Sequence, residues 1–158
     1  MQSQDIAFRL ARDEDLPSII QMLADDPMAS KREDASETGR SVYQAAFRSI
    51  TSDSNNELVV AVADQRIVGV LQITYIPNLT FQGSWRAQIE GVRVASDLRS
   101  AGIGRLMMEW SIDRARDRGC IMVQLTTDKS RPAALRFYEK LGFVASHQGM
   151  KLNIGSVR

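Results

Sequence analysis

The spacing of apolar and polar positions changes several times along the chain, and each change marks an element. Ile6 to Ala11 (IAFRLA) alternates, as a half-buried strand does. In DEDLPSIIQMLADD the acidic residues lead and the apolar ones recur at helical spacing, which predicts a helix over 13–26. DPMASKREDASETG (26–39) is polar and aperiodic and reads as a surface loop. RSVYQAAFRSITSD (40–53) predicts a second amphipathic helix, with Val42, Ala45, Ala46, Phe47 and Ile50 available to pack.

ELVVAVA (57–63) and RIVGVLQITYI (66–76) are β-branched runs separated by Asp64-Gln65, a hairpin pattern. PNLTFQGSW connects to another strand, RAQIEGVRVA (86–95), where Gly91 marks a bulge or a close approach of backbone. From Ile103 to Arg118 the polar residues Arg105, Glu109, Asp113 and Arg116 form one stripe, opposite Ile103, Met107, Met108, Ile112 and Ala115. Gly119 stops that helix. CIMVQLTT (120–127) is nearly continuous apolar chain, the mark of a buried central strand. RPAALRFYEKLG (131–142) reads as a shorter helix and FVASHQGMKL (143–152) as a last strand. The order β-α-α-β-β-β-α-β-α-β pairs antiparallel hairpins with one strand–helix–strand unit that returns parallel, so the fold class is a mixed α/β (α+β) sheet covered by helices.

Composition narrows the function classes. A chain of 158 residues with 44% hydrophobic and 25% charged residues suits a single globular domain over 1–158. The formal net charge of +1 gives no broad electrostatic footprint for nucleic acid or anionic lipid. Cys120 and His147 are the lone residues of their types, which leaves no disulfide, no cysteine cluster and no expected metal. Without a secretory leader or a long apolar span, the expected location is the cytoplasm.

The chemistry concentrates in DLRSAGIGRLM (97–107). A strand, a glycine-rich loop and a helix form a geometry that holds anions, because the first N–H groups of the helix lack intrahelical partners and carry the positive end of its dipole. Gly102 and Gly104 allow close approach, and Arg99 and Arg105 add charge. A plain glycine turn into a helix is the competing reading. A Walker loop needs Gly-Lys-Ser/Thr where Gly104 is followed by Arg105-Leu106, and a dinucleotide fingerprint needs glycine where Met107 stands.

The context adds a resemblance. Arg99-Ser-Ala-Gly102-Ile-Gly104 is similar to the [Arg/Gln]-x-x-Gly-x-[Gly/Ala] acetyl-CoA signature of the GNAT N-acetyltransferase superfamily. LRFYEKLGF (135–143) resembles that family's second motif, tyrosine included. The specific likeness covers residues 88–143. Many relatives carry Asn seven residues before the tyrosine, where this chain has Arg131; the family's alanine four before it is present as Ala134. The resemblance implies a mostly antiparallel twisted sheet of six to seven strands, about four helices, and a central parallel pair that splays apart at the cofactor. It implies that backbone amides of Arg99, Ser100, Ala101, Gly102, Ile103, Gly104 and Arg105 hold the pyrophosphate of acetyl-CoA. Val92, Arg93 and Val94 would bond the pantetheine amides, with Arg131, Ala134 and Tyr138 along the cofactor arm.

The same resemblance implies direct transfer of an acetyl group from the CoA thioester to a primary amine, with Tyr138 donating a proton to the departing thiolate and Glu90 serving as general base. Each also has a purely structural reading, a packed aromatic on an amphipathic helix and a strand-paired glutamate. An N–H near Val92 could polarise the thioester carbonyl. Cys120 reads as a small core residue and His147 as a structural or interface residue. Trp85, Phe81, Tyr43 and Phe47 are candidates to line an acceptor pocket. The acceptor class nearest the resemblance is a small amine, as in bacterial aminoalkylphosphonate acetyltransferases. A protein N-terminal or lysine acetyltransferase and a non-catalytic acyl-CoA-binding regulatory module are the alternatives. A homodimer through FVASHQGMKL is expected, with no nucleic-acid or membrane partner.

Overall fold

Two units make up the chain, Met1–Gln124 and Leu125–Arg158. A computed structural model describes residues 6–26 and 33–155.

The first unit is built on one sheet. Its elements are β1 (Ala7–Leu10), a 3-10 turn (Asp13–Asp15), α1 (Leu16–Ala24), α2 (Glu37–Ser52), β2 (Asn56–Ala63), β3 (Arg66–Pro77), a single turn α3 (Thr80–Gly83), β4 (Trp85–Val94), a second 3-10 turn (Ser96–Leu98), α4 (Ile103–Asp117) and β5 (Cys120–Gln124). The strands lie in the order β1-β2-β3-β4-β5. The first three pairings are antiparallel, and β4 with β5, joined through α4, is parallel. This is the mixed α/β class expected, with five strands among the described residues instead of six to seven.

Local chemistry sets the boundaries. Asp64 and Gln65 both take positive φ, 47° and 64°, so the β2–β3 turn has the left-handed pair that a two-residue hairpin requires. Asp15 ends the first 3-10 turn and begins α1; it accepts the Arg12 N–H at 2.7 Å and both guanidinium N–H groups of Arg9 at 2.6 and 2.9 Å. α2 starts at Glu37, earlier than the apolar spacing indicated, because the Ser36 hydroxyl accepts the Gly39 N–H at 3.3 Å and caps it. Of the expected loop, residues 27–32 lie outside the described residues.

Helices cover both faces. On one, Val59, Ala61, Leu71, Ile73 and Tyr75 pack with Ile103, Met107 and Ala115 of α4. On the other, Val60 and Val70 pack with Leu16, Ile19 and Ile20 of α1 and Phe47 of α2. Neighbouring residues of β2 are therefore buried on opposite sides, which explains its unbroken apolar run. α4 is also tied to the sheet by polar contacts. Buried Glu57 accepts from Arg114 at 2.8 and 3.0 Å and from the Tyr75 hydroxyl at 3.1 Å, while the Arg118 guanidinium lies 4.4 Å from the Tyr75 ring centre. Burial, with the Glu57 charge behind it, raises the Tyr75 phenol well above its ordinary value.

Two expectations fail. CIMVQLTT is not a buried central strand: β5 spans five residues at the end of the sheet, with Ile121 60% and Met122 40% exposed. An apolar run reports side-chain type, not the number of strand neighbours. FVASHQGMKL forms no strand among the described residues. Its apolar residues Val144, Met150 and Leu152 are all exposed.

The second unit is organised by α5 (Pro132–Lys140), which Pro132 opens. Before it, the Asp128 carboxylate accepts from the Ser130 N–H and hydroxyl at 2.8 and 2.7 Å.

Candidate active site

The loop before α4 is held from both sides. Arg66 pairs with Asp97 through two bonds of 2.7 Å, which lowers the Asp97 carboxyl below its ordinary value. The Leu98 N–H bonds the Ala95 carbonyl, and the Ala101 N–H bonds Leu98. Between these anchors the backbone turns left-handed twice, at Ser100 (φ 65°) and Gly102 (φ 86°). Gly102 is the N-cap of α4, and its carbonyl accepts the Leu106 N–H at 3.2 Å. The N–H groups of Ile103, Gly104 and Arg105 precede that bond, as the first amides of any helix do. A Cβ built on Gly102 meets no atom within 4 Å, so the mouth of the loop is open. The paired left-handed turns make a nest of N–H groups suited to an anion. The two arginines differ: Arg105 is spent on Glu109 at 2.7 Å, whereas Arg99 is exposed and makes no ion pair among the described residues.

β4 is bent just before this loop. Val70 faces Arg93, but Gln72 faces Glu90, so two β4 residues, Gly91 and Val92, stand opposite Leu71 alone. Gly91 carries the bulge at φ 63°, as its position in the strand anticipated. Pairing with β5 ends at Gln88–Gln124. From Ile89 to Val94 the outer edge of β4 has no strand partner among the described residues, and its backbone groups can bond an extended amide chain. Val92 and Val94 are half-buried and Glu90 is exposed. The Arg93 side chain pairs with buried Asp26 at 3.2 Å, joining the end of α1 to the bulged strand.

In the second unit Tyr138 is half-buried on α5, with ring centres 5.1 Å from Phe137 and 5.9 Å from Phe143. Arg131 occupies the N-cap of α5, and its carbonyl accepts from Ala134 and Leu135. His147 is exposed, its Nδ1 2.8 Å from the Ser146 hydroxyl. In the first unit, burial raises the Cys120 thiol above its ordinary value, which disfavours a thiolate. The aromatic candidates for an acceptor pocket divide. Phe47 is core, Tyr43 donates to Glu33 at 2.7 Å, and Phe81 and Trp85 border a cleft at the start of β4.

Residues 16–143 match the family model described as acetyltransferase (GNAT) family. The chain belongs to that family. A glucosamine 6-phosphate N-acetyltransferase of Trypanosoma brucei brucei is 37% identical over 90 residues, which span 56% of this chain and 58% of that one. An aminoalkylphosphonate N-acetyltransferase of Salmonella typhimurium is 28% identical over 108 residues, 66% of this chain and 70% of that one. Among solved structures, one described as a transcriptional regulator from Bacillus halodurans C-125 has a TM-score of 0.91 and 52% identity, over 94% of this chain and 99% of that one.

GNAT acetyltransferases use acetyl-CoA, and the open glycine loop and free β4 edge fit its phosphates and its amide arm respectively. Sequence reasoning missed a polar row on the sheet face that carries Glu90. Strand register puts Asn56, Gln72, Thr74, Gln88 and Gln124 on that face. They bond side chain to side chain: Gln72 and Thr74 donate to Asn56 at 3.0 and 2.7 Å, and Gln124 donates to Gln88 at 2.7 Å. The available signal was period two, which sets polar residues at 72 and 74 in an otherwise apolar β3.

Proposed function

We propose that this GNAT acetyltransferase moves an acetyl group from acetyl-CoA directly to the primary amine of a small molecule. The observation that carries the reading is the left-handed loop Ser100–Gly102 at the start of α4, next to a bulged strand whose edge is open from Ile89 to Val94. Bound acetyl-CoA supplies an activated acyl carbon and a thiolate leaving group. The chain's residues do the rest. Amides of residues 99–105 hold the diphosphate, with Arg99 contributing charge. Backbone groups of Val92, Arg93 and Val94 fix the pantetheine arm, and an N–H near Val92 draws charge onto the carbonyl oxygen. Glu90 takes a proton from the acceptor ammonium, directly or through water, the free amine attacks the thioester carbonyl, and the Tyr138 hydroxyl protonates the departing sulfur. A phenol, with its ordinary pKa near 10, suits donation to a thiolate better than base work. Arg131 and Ala134 border the cofactor arm.

Two relatives named for phosphate- or phosphonate-bearing amines support a small-molecule acceptor. The Bacillus halodurans structure favours a second reading, an acyl-CoA-binding regulatory module. Thiol release from acetyl-CoA, measured over a panel of amino sugars, aminophosphonates, polyamines and peptides, separates them. The expected result is acetylation of at least one small amine with multiple turnovers. Binding of acetyl-CoA without transfer to any of them would support the regulatory module.

A further inference from the structure

Strand register sets Arg86, Gln88 and Glu90 in one row on the same face of β4, opposite Ile76, Thr74 and Gln72 of β3. Their chemistry is graded: a cation, an amide, then the proposed base. Arg86 is the unusual member. It is half-buried, its Nε is fully buried with no hydrogen-bond partner, and it forms no ion pair among the described residues. Glu90 does not neutralise it, because four residues of strand separate their Cα atoms by roughly 13 Å. Arg93, on the same face beyond the bulge, is already paired with Asp26. Arg86 also borders a shallow, solvent-open cleft with Asn78, Ser84, Trp85 and Met122. A guanidinium Nε–H withdrawn from water and left without an acceptor is costly in the free protein, and an oxyanion bound by Arg86 offsets that cost.

Between the two ends, Gln88 uses its carbonyl for Gln124, and Gln72 uses its N–H for Asn56. The Gln88 N–H groups and the Gln72 carbonyl remain for a ligand. The row can therefore receive a molecule with an oxyanion at one end, hydrogen-bonding groups in the middle and an amine at the other.

We propose that the acceptor is a primary amine whose far end carries an oxyanion, held by Arg86, with Gln88 and Gln72 gripping the segment between. This rests on the acetyltransferase reading and specifies its substrate class. Phosphate, phosphonate and carboxylate share the planar, bidentate match to guanidinium.

The test is steady-state kinetics of the full chain with acetyl-CoA and paired acceptors long enough to reach along the row: glucosamine 6-phosphate against glucosamine, 6-aminohexylphosphonate against hexylamine, and 6-aminohexanoate against hexylamine. The expected result is that at least one anionic acceptor exceeds its neutral counterpart in kcat/KM by about tenfold to a hundredfold, the range of one charge-assisted hydrogen-bond pair. The pair that shows the preference identifies the oxyanion. Arg86→Gln then raises KM for the anionic acceptor and brings the ratio near one. Arg86→Lys restores part of it, and acetyl-CoA affinity in each variant reports an intact fold. Neutral acceptors equal to or better than anionic ones overturn the proposal and leave the acetyltransferase reading standing. A preference that persists in folded Arg86→Gln also overturns it. Failure to acetylate any amine, with acetyl-CoA bound, overturns both.

Discussion

Replacing Gly102 by alanine separates a cofactor cradle from a plain turn, because Gly119 supplies a matched control at the other end of α4. Both residues are left-handed, with φ of 86° and 76°, and a Cβ on either meets no atom within 4 Å. The added methyl therefore costs the protein the same in each case. The penalty is backbone strain alone, about 1 kcal/mol net once the stiffer unfolded chain is counted. For a chain of this size that lowers Tm by about 2–4 °C. The two variants should melt alike. They should not bind alike. In the proposed reading, the open space beside Gly102 is where the phosphate approaches the amides of Ile103, Gly104 and Arg105. A methyl there holds the anion off one or two charge-assisted bonds, each worth about 1.5–3 kcal/mol, so Kd for acetyl-CoA rises at least about tenfold. Gly119→Ala leaves Kd within about twofold. Calorimetric titration with acetyl-CoA and thermal melts of both variants make the measurement. Equal affinities in the two, with equal melting losses, would return the loop to a glycine turn that merely starts a helix.

What could be read from the sequence depended on whether the signal was local. The β2–β3 hairpin, the Gly91 bulge and the Gly102 loop are each decided within a few residues, by turn chemistry and φ, and each stands where the pattern put it. α1 and α5 likewise carry Pro17 and Pro132 at their starts. Failures came where the outcome depends on distant chain. An apolar run at 120–124 looks the same whether it has one strand neighbour or two, and β5 has one among the described residues. Alternation at 143–152 is necessary for a strand but does not supply the neighbouring backbone that makes one. Pairings across long separations were equally invisible. Glu57 with Arg114 spans 57 positions, and Gln88 with Gln124 spans 36. Charge count did not reveal that Arg93 is paired with Asp26 while Arg86 has no ion pair among the described residues; only the folded position of Asp26, just past α1, distinguishes them.

The acid–base roles and one structural pair give three more tests. Glu90→Gln, assayed with its acceptor at neutral pH, should lower kcat by about 10²–10⁴-fold with little change in acetyl-CoA affinity; a loss under about threefold removes Glu90 as the base. Tyr138→Phe keeps the ring packed between Phe137 and Phe143 and should cut turnover while binding persists, the sign of an interaction made in the transition state. Lost binding instead makes Tyr138 a cofactor contact. The last concerns Asp15, buried between Arg9 and the Arg12 N–H. The Arg9 hydrogen bond, helped by that N–H, holds its carboxyl below the ordinary value against the opposing effect of burial. A folded-state pKa below the unfolded one means that ionised Asp15 stabilises the fold above the ordinary carboxylate range, near pH 4, and that this contribution fades as pH falls through it. Asp15→Asn preserves shape and removes charge, so it should cost about 1–3 kcal/mol at pH 7. The gap between the urea midpoints of the two proteins should hold from pH 7 to about 4 and close only as pH falls below that, through the lowered Asp15 value, because protonation takes from the parent what the substitution has already removed. A stability gap that stays constant below that pH as well assigns the loss to packing and not to the Arg9–Asp15 charge pair.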